Sequence, residues 1–159
     1  MAAARLAILK MPHGDPPMKS AIYKVTVEFG DCDPANIVFY PNFFRWINAA
    51  SNHFLVQAGL TTQRLGDQFG VFAVPIMETG ATYLRPATYG DELEIESCVV
   101  ECTGKAIRVQ HRIRRGTELL VEGFEVRFLA VPHPDDPRRM KALQIPDEIC
   151  AALGYAGQT

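Results

Sequence analysis

The amino-acid sequence predicts an α+β domain in which one antiparallel five-stranded sheet wraps around a long central helix. Three features lead there: an alternating segment at residues 22–29, an apolar helical segment at 42–58, and four strand-like segments between residues 71 and 131. A helix with that much apolar surface has to be covered, and a single sheet is the economical cover.

The chain has 159 residues, 48% hydrophobic and 21% charged, enough for one well-packed core and too few for two ordinary domains. Residues 1–20, with Pro12, Gly14, Pro16 and Pro17, read as an N-terminal arm, and residues 21–159 as the single domain. In the first strand Tyr23, Val25, Val27 and Phe29 alternate with Lys24, Thr26 and Glu28, the pattern of a half-buried element. Gly30 to Asn36 then breaks the period with a run of turn formers.

From Asn42 to Ala58 the spacing becomes helical. Phe43, Ile47, Ala50, Phe54 and Ala58 form one stripe, widened by Trp46, Ala49 and Leu55, with Pro41 suited to the first helical position and Gly59 to the stop. Arg45, Asn48 and Asn52 fall within about 60° of one another, so one narrow polar strip faces something other than core. Thr61–Phe69 reads as a short helix or an ordered loop.

The remaining strands are predicted at Val71–Leu84, Glu92–Cys102, Ala106–Arg115 and Leu119–Val131, with Pro75 marking an edge or a bulge. Turns at Thr103-Gly104 and Gly116-Thr117 make two consecutive hairpins and hence an antiparallel meander. Pro146–Leu153 closes the chain as a short helix.

A formal net charge of −2 supplies no basic field for nucleic acid, and no apolar run approaches the roughly 20 residues that span a bilayer. Cys32, Cys98, Cys102 and Cys150 form no C-x-x-C pair and read as reduced thiols of a soluble cytoplasmic protein. His13, His53, His111 and His133 have no ligand spacing, so no metal site is expected, and His53 and His111 read as packed or surface residues.

Chemistry concentrates between Phe29 and Trp46. Asp31 and Asp33 sit in a turn nine and seven residues ahead of Tyr40, and the helix begins between Tyr40 and Asn42. A helix start exposes unpaired N–H groups and a positive dipole end, which polarise a carbonyl, and a carboxylate folded beside it attacks or activates water. Taken alone, D-x-D-P in a turn is more often a hydrogen-bonded loop than a catalytic site.

The stretch Glu28–Trp46 closely resembles the signature of the 4-hydroxybenzoyl-CoA thioesterase family of hot-dog proteins, and the element order from residue 22 to about 149 resembles theirs more loosely. That resemblance implies hydrolysis of an acyl-CoA thioester with Asp33 as nucleophile or general base and with the backbone N–H of Tyr40 aimed at the thioester carbonyl. Asp31 would orient the loop by accepting local N–H groups.

On the helix, hydrolases of the 4-hydroxybenzoyl thioester carry an Asp where this chain has Asn48, which puts a hydroxybenzoyl substrate in doubt and leaves Asn48 to bond a polar acyl group. Asn36 stands where many relatives have Gly, and Asn tolerates a positive φ. Lys105 and Arg127 match positions near the nucleotide of the ligand; solvated turns and strand edges account for them equally well. Phe39, Phe43 and Trp46 suggest an aromatic lining for an aryl acyl group.

The resemblance further implies no cofactor beyond the coenzyme A carried by the substrate, and a homo-oligomer, either a dimer or a dimer of dimers. A non-catalytic acyl-CoA or acyl-carrier-protein binding module, or a broad acyl-carrier-protein or aliphatic acyl-CoA hydrolase, are the alternative readings.

Overall fold

The computed structural model describes residues 19–155, so nearly all of the expected arm at 1–20 lies outside the described residues. The elements in chain order are β1 (Ser20–Thr26), a 3₁₀ turn (Phe29–Asp31), α1 (Pro41–Gln57), α2 (Thr62–Phe69), β2 (Ile76–Tyr83), β3 (Glu92–Thr103), β4 (Ala106–Arg115), β5 (Glu118–Arg127), β6 (Ala130–Pro132), β7 (Met140–Ala142) and α3 (Asp147–Ala152). Five strands join in the order β1-β3-β4-β5-β2 with every pairing antiparallel, and β6 and β7 pair separately. With α1 laid against that sheet, this is the expected hot-dog fold.

Departures from expectation fall at strand ends and have local causes. β1 ends at Thr26: Val27 still faces Asp91 and donates to its O at 2.9 Å, but the O of Val27 accepts from Gly90 N, one residue out of register, and the turn at Phe29–Asp31 follows. The segment 71–84 is divided at Pro75, which has no N–H for the ladder; β2 begins beyond it with a register shift between Ile76 and Glu78 on the sheet edge. The strand expected to reach Val131 ends at Arg127, and residues 130–132 turn to pair with 140–142 instead.

α1 buries Phe43, Trp46, Ile47, Ala50, Ser51 and Phe54. Full burial of a side chain the size of Ile47 or Phe54 is worth about 1.5–3 kcal/mol, so this face alone accounts for the docking. Phe43 and Trp46 pack edge to face within the core, 5.4 Å apart between centroids, which corrects the expectation that they line a ligand site; Phe39 remains exposed. Residues on β5 that face α1 include Gly123, where an added Cβ would lie 2.8 Å from Ile47 Cδ1. The bare backbone there lets the helix approach.

Two apolar clusters result. One gathers Phe43, Trp46 and Ile47 with Leu93, Ile95, Ile113 and Val121; the other gathers Phe54, Leu60 and Leu65 with Val99, Val109 and Leu129, closed below by Ile149 and Leu153 of the α3 region. The expectation of four reduced thiols is corrected here. Cys102 at the end of β3 and Cys150 in α3 form a disulfide across a sequence separation of 48, because the chain's return places their Cα atoms 5.8 Å apart. Cys32 and Cys98 are free, and burial pushes the Cys98 thiol up to about 11. The cytoplasmic reading rested on reduced thiols, and the pairing removes that ground. Among the described residues, no helix is long and apolar enough to cross a membrane.

Gly123→Ala is expected to destabilise the fold by about 1–3 kcal/mol through overpacking, read as a lower urea midpoint, and adding Ile47→Val is expected to recover part of the loss.

Candidate active site

The turn after β1 is built by its own side chains. Asn36 N–H donates to Asp33 O at 2.9 Å, closing a turn with Pro34 and Ala35 at its centre. Asn36 is the one non-glycine residue with positive φ among the described residues, at 62°, so Ala35 has negative φ and the turn is type I followed by a left-handed residue. Asp33 N–H reaches Ile37 O at 2.9 Å, and a bridge between Cys32 and Val38 locks the two arms of this small hairpin. The tolerance of Asn36 for that conformation is what the loop requires.

Asp33 is half-buried at the corner. Its Oδ1 accepts the N–H of Ala35 at 2.8 Å, and its other oxygen has no partner among the described residues. Asp31 does the structural work beside it: Oδ2 accepts Glu28 N–H at 2.9 Å, Oδ1 takes Arg45 Nη2 of α1 at 2.7 Å, and its backbone oxygen accepts from Phe39 N and Asn42 Nδ2, both at 2.9 Å. The nearby cation is therefore engaged by Asp31, leaving Asp33 an unpaired carboxylate.

The returning arm delivers Tyr40 to the start of α1, followed by Pro41 in the first turn. Tyr40 N–H donates to no acceptor among the described residues, while the next available amide, Asn42 N–H, is taken by Phe39 O at 2.9 Å. The Tyr40 ring is 59% exposed and stacks edge to face on Phe39. One free carboxylate oxygen and one free helix-start N–H thus lie on adjacent arms of the same hairpin.

Along α1 the polar strip has three different partners. Arg45 meets Asp31, Asn48 Oδ1 accepts Arg127 Nη2 at 2.8 Å, and Asn52 lines a cleft of about 250 Å³ with Leu55, Val56, Leu65, Phe72 and Val74. Arg127, expected near the nucleotide, is placed beneath α1: it is 5% exposed, with Nε on Glu125 Oε2 at 2.9 Å, Nη2 on Glu125 Oε1 at 3.0 Å and Nη1 on Val74 O at 2.9 Å. Lys105 stands exposed in the β3–β4 turn.

Glu125, absent from the candidates drawn from the sequence, is the hub of a buried network. Ser51 Oγ donates to its Oε2, His111 Nε2 stands 3.3 Å from Ser51 Oγ and 3.5 Å from Glu125 Oε2, and Ser97 Oγ bonds His111 Nδ1 at 2.8 Å. Burial alone would raise the Glu125 carboxyl, but hydrogen bonds from His111, Arg127 and Ser51 outweigh it and bring the group from 4.5 to about 2. His111 is packed, as expected. The available signal was alternation: with Val121 and Gly123 facing the helix, Glu125 and Arg127 must face it too, and two opposite charges at that spacing point to a buried pair. No group of three or more His, Cys, Asp and Glu gathers for a metal ion among the described residues.

The sequence profile of the thioesterase-like superfamily matches residues 27–153. The 4-hydroxybenzoyl-CoA thioesterase of Pseudomonas sp. (strain CBS-3) is 33% identical over 142 residues, 84% of this chain and 99% of that protein. A 1,4-dihydroxy-2-naphthoyl-CoA hydrolase of Synechococcus sp. (strain WH7803) is 29% identical over 129 residues, 77% of this chain and 81% of that one. Among solved structures, an aspartate-to-asparagine mutant of 4-hydroxybenzoyl-CoA thioesterase complexed with 4-hydroxybenzoyl-CoA superposes with a TM-score of 0.76 at 31% identity, over 84% of this chain and 98% of that chain.

Replacing Glu125 by Gln leaves the Arg127 guanidinium buried without its anion, an expected loss of about 3–5 kcal/mol at pH 7. Because the folded carboxyl lies near 2, below its ordinary 4.5, the native advantage is complete above pH 5 and disappears as pH falls toward 2. Urea unfolding of both proteins across that range is expected to show the two curves converging in acid.

Proposed function

The chain belongs to the thioesterase-like superfamily, and we propose that it is an acyl-CoA thioesterase hydrolysing an aryl-CoA or short acyl-CoA ester to the free acid and coenzyme A. The observation that carries this reading is the pairing, on one hairpin, of a carboxylate with a free oxygen at Asp33 and an unoccupied N–H at Tyr40. The relatives named above act on aryl-CoA esters, which supports the aryl class.

The thioester carbonyl oxygen accepts the Tyr40 N–H, reinforced by the dipole of α1, so negative charge developing on that oxygen is stabilised. Asp33 then follows one of two balanced routes. As nucleophile, its oxygen bonds to the carbonyl carbon, the C–S bond breaks and the thiolate leaves; water then hydrolyses the resulting anhydride to the free acid and the Asp33 carboxylate, and a proton released from that water goes to the thiolate. As general base, it takes a proton from a water whose oxygen attacks the carbon directly, and that proton passes to the departing thiolate. The unpaired state of Asp33 serves either route, because a carboxylate held by Arg45 would be a poorer nucleophile and base.

Lys105, exposed in its turn, is suited to a phosphate of the nucleotide. Arg127 supports Asn48 from below, as its burial and its bonds to Glu125 favour. We assign the protein to a homodimer or a dimer of dimers: β2 is an edge strand carrying exposed Ile76 and Met77, and a second copy covers such an edge. The coenzyme A arrives as part of the substrate, and no separate cofactor enters the proposed chemistry.

The purified chain is expected to release free thiol from benzoyl-CoA and substituted benzoyl-CoA esters. Asp33→Asn is expected to lower kcat by 10² to 10⁴ or more; turnover unchanged in that variant would overturn the role of Asp33, and tight binding of acyl-CoA without thiol release by the native chain would favour a binding module.

A further inference from the structure

The polar strip on α1 runs from the Asp33 loop at one end to the cleft at the other. Arg45 ties its first position to Asp31, and Asn52 lines the cleft at its last, with Asn48 between them. Asn48 lies eight residues beyond Tyr40, about 12 Å along the axis, shortened by the tilt of helical side chains toward the N-terminus. An acyl group that starts at the Tyr40 N–H and extends toward the cleft passes Asn48.

Arginine has donors and no acceptor, so the bond from Arg127 Nη2 requires Asn48 to turn its oxygen inward. The Asn48 amide nitrogen then points away from Arg127, on an exposed residue and with no partner among the described residues. Arg127 is itself fixed by a bidentate pair with buried Glu125, and its remaining arm holds Val74 O on the cleft wall. The amide orientation is therefore set from the core. The cleft, at about 250 Å³, exceeds the ~150 Å³ that suffices for a benzene-sized guest.

We propose that Asn48 acts as a fixed hydrogen-bond donor to the acyl group, with Arg127 as its positioning residue, so that this enzyme favours aryl-CoA esters whose ring bears a hydrogen-bond acceptor. An aspartate at this place would accept a bond from a ring hydroxyl; the clamped amide offers only N–H and selects for ether, carbonyl or anionic oxygen substituents. This inference rests on the hydrolase reading above and adds the polarity of the group it recognises.

The test compares kcat/KM for 4-methoxybenzoyl-CoA, which only accepts, with 4-hydroxybenzoyl-CoA, using benzoyl-CoA as the reference. The ratio of methoxy to hydroxy is measured in the native chain and in Asn48→Asp and Arg127→Lys, so that the bulk of the methyl group cancels between proteins. The expected result is a native ratio of one or more, a fall of at least tenfold in Asn48→Asp, and a shift in Arg127→Lys toward the hydroxy ester as the amide becomes free to turn. A general loss of folding would lower both rates without moving the ratio. Thiol release with an unchanged ratio in Asn48→Asp, a change at an exposed position with folding checked by its urea midpoint, overturns the inference and leaves the hydrolase reading standing. Absence of thiol release from all three esters overturns both.

Discussion

The bidentate pair of Glu125 and Arg127 is the contact on which the placement of α1 depends. An unpaired guanidinium or carboxylate in this core would carry several kcal/mol of desolvation, so the helix must present Ser51 and Asn48 to those two groups and to no others. Apolar packing alone permits small slides of a helix across a sheet, because hydrophobic contacts are not directional. The polar bonds remove that freedom. They divide the core into its two apolar clusters and hold α1 at a single register between them.

That register fixes the geometry at the end of the helix. Arg45 carries the position of α1 to Asp31, and Asp31 carries it to the hairpin through its carboxylate and its backbone oxygen. Asp33 is positioned by neighbours that bond to everything near it except its own second oxygen. The site is thus assembled from short-range bonds whose reference point is a buried ion pair on β5, in the middle of the helix.

Much of this was legible in the residues. Alternation located β3 and β4 almost to the residue, since turn glycines bracket them, and helical spacing located α1 because its stripe is wide. The turn formers around Asp33 and the proline before α1 marked the hairpin and the helix start. What the sequence concealed depends on partners distant in the chain. Ser51 is small enough to read as neutral on a buried stripe, and only the presence of Glu125, 74 residues away, makes it a required donor. Phe43 and Trp46 were misplaced for a related reason: an aromatic residue near a helix start packs inward or lines a pocket according to which strand lies beneath it. The Cys102 and Cys150 pairing likewise follows from the path of the chain after β5, which no spacing rule encodes.

Arg127 holds Val74 on the cleft wall and Asn48 on the helix with the two ends of one rigid, planar group. In the binding mode proposed above, the acyl group would lie between two surfaces joined through one guanidinium. Moving the segment at 71–74 outward to widen the cleft would drag the guanidinium and, with it, the Asn48 amide. The width of the cleft and the polar contact on the helix are thereby coupled through a single side chain.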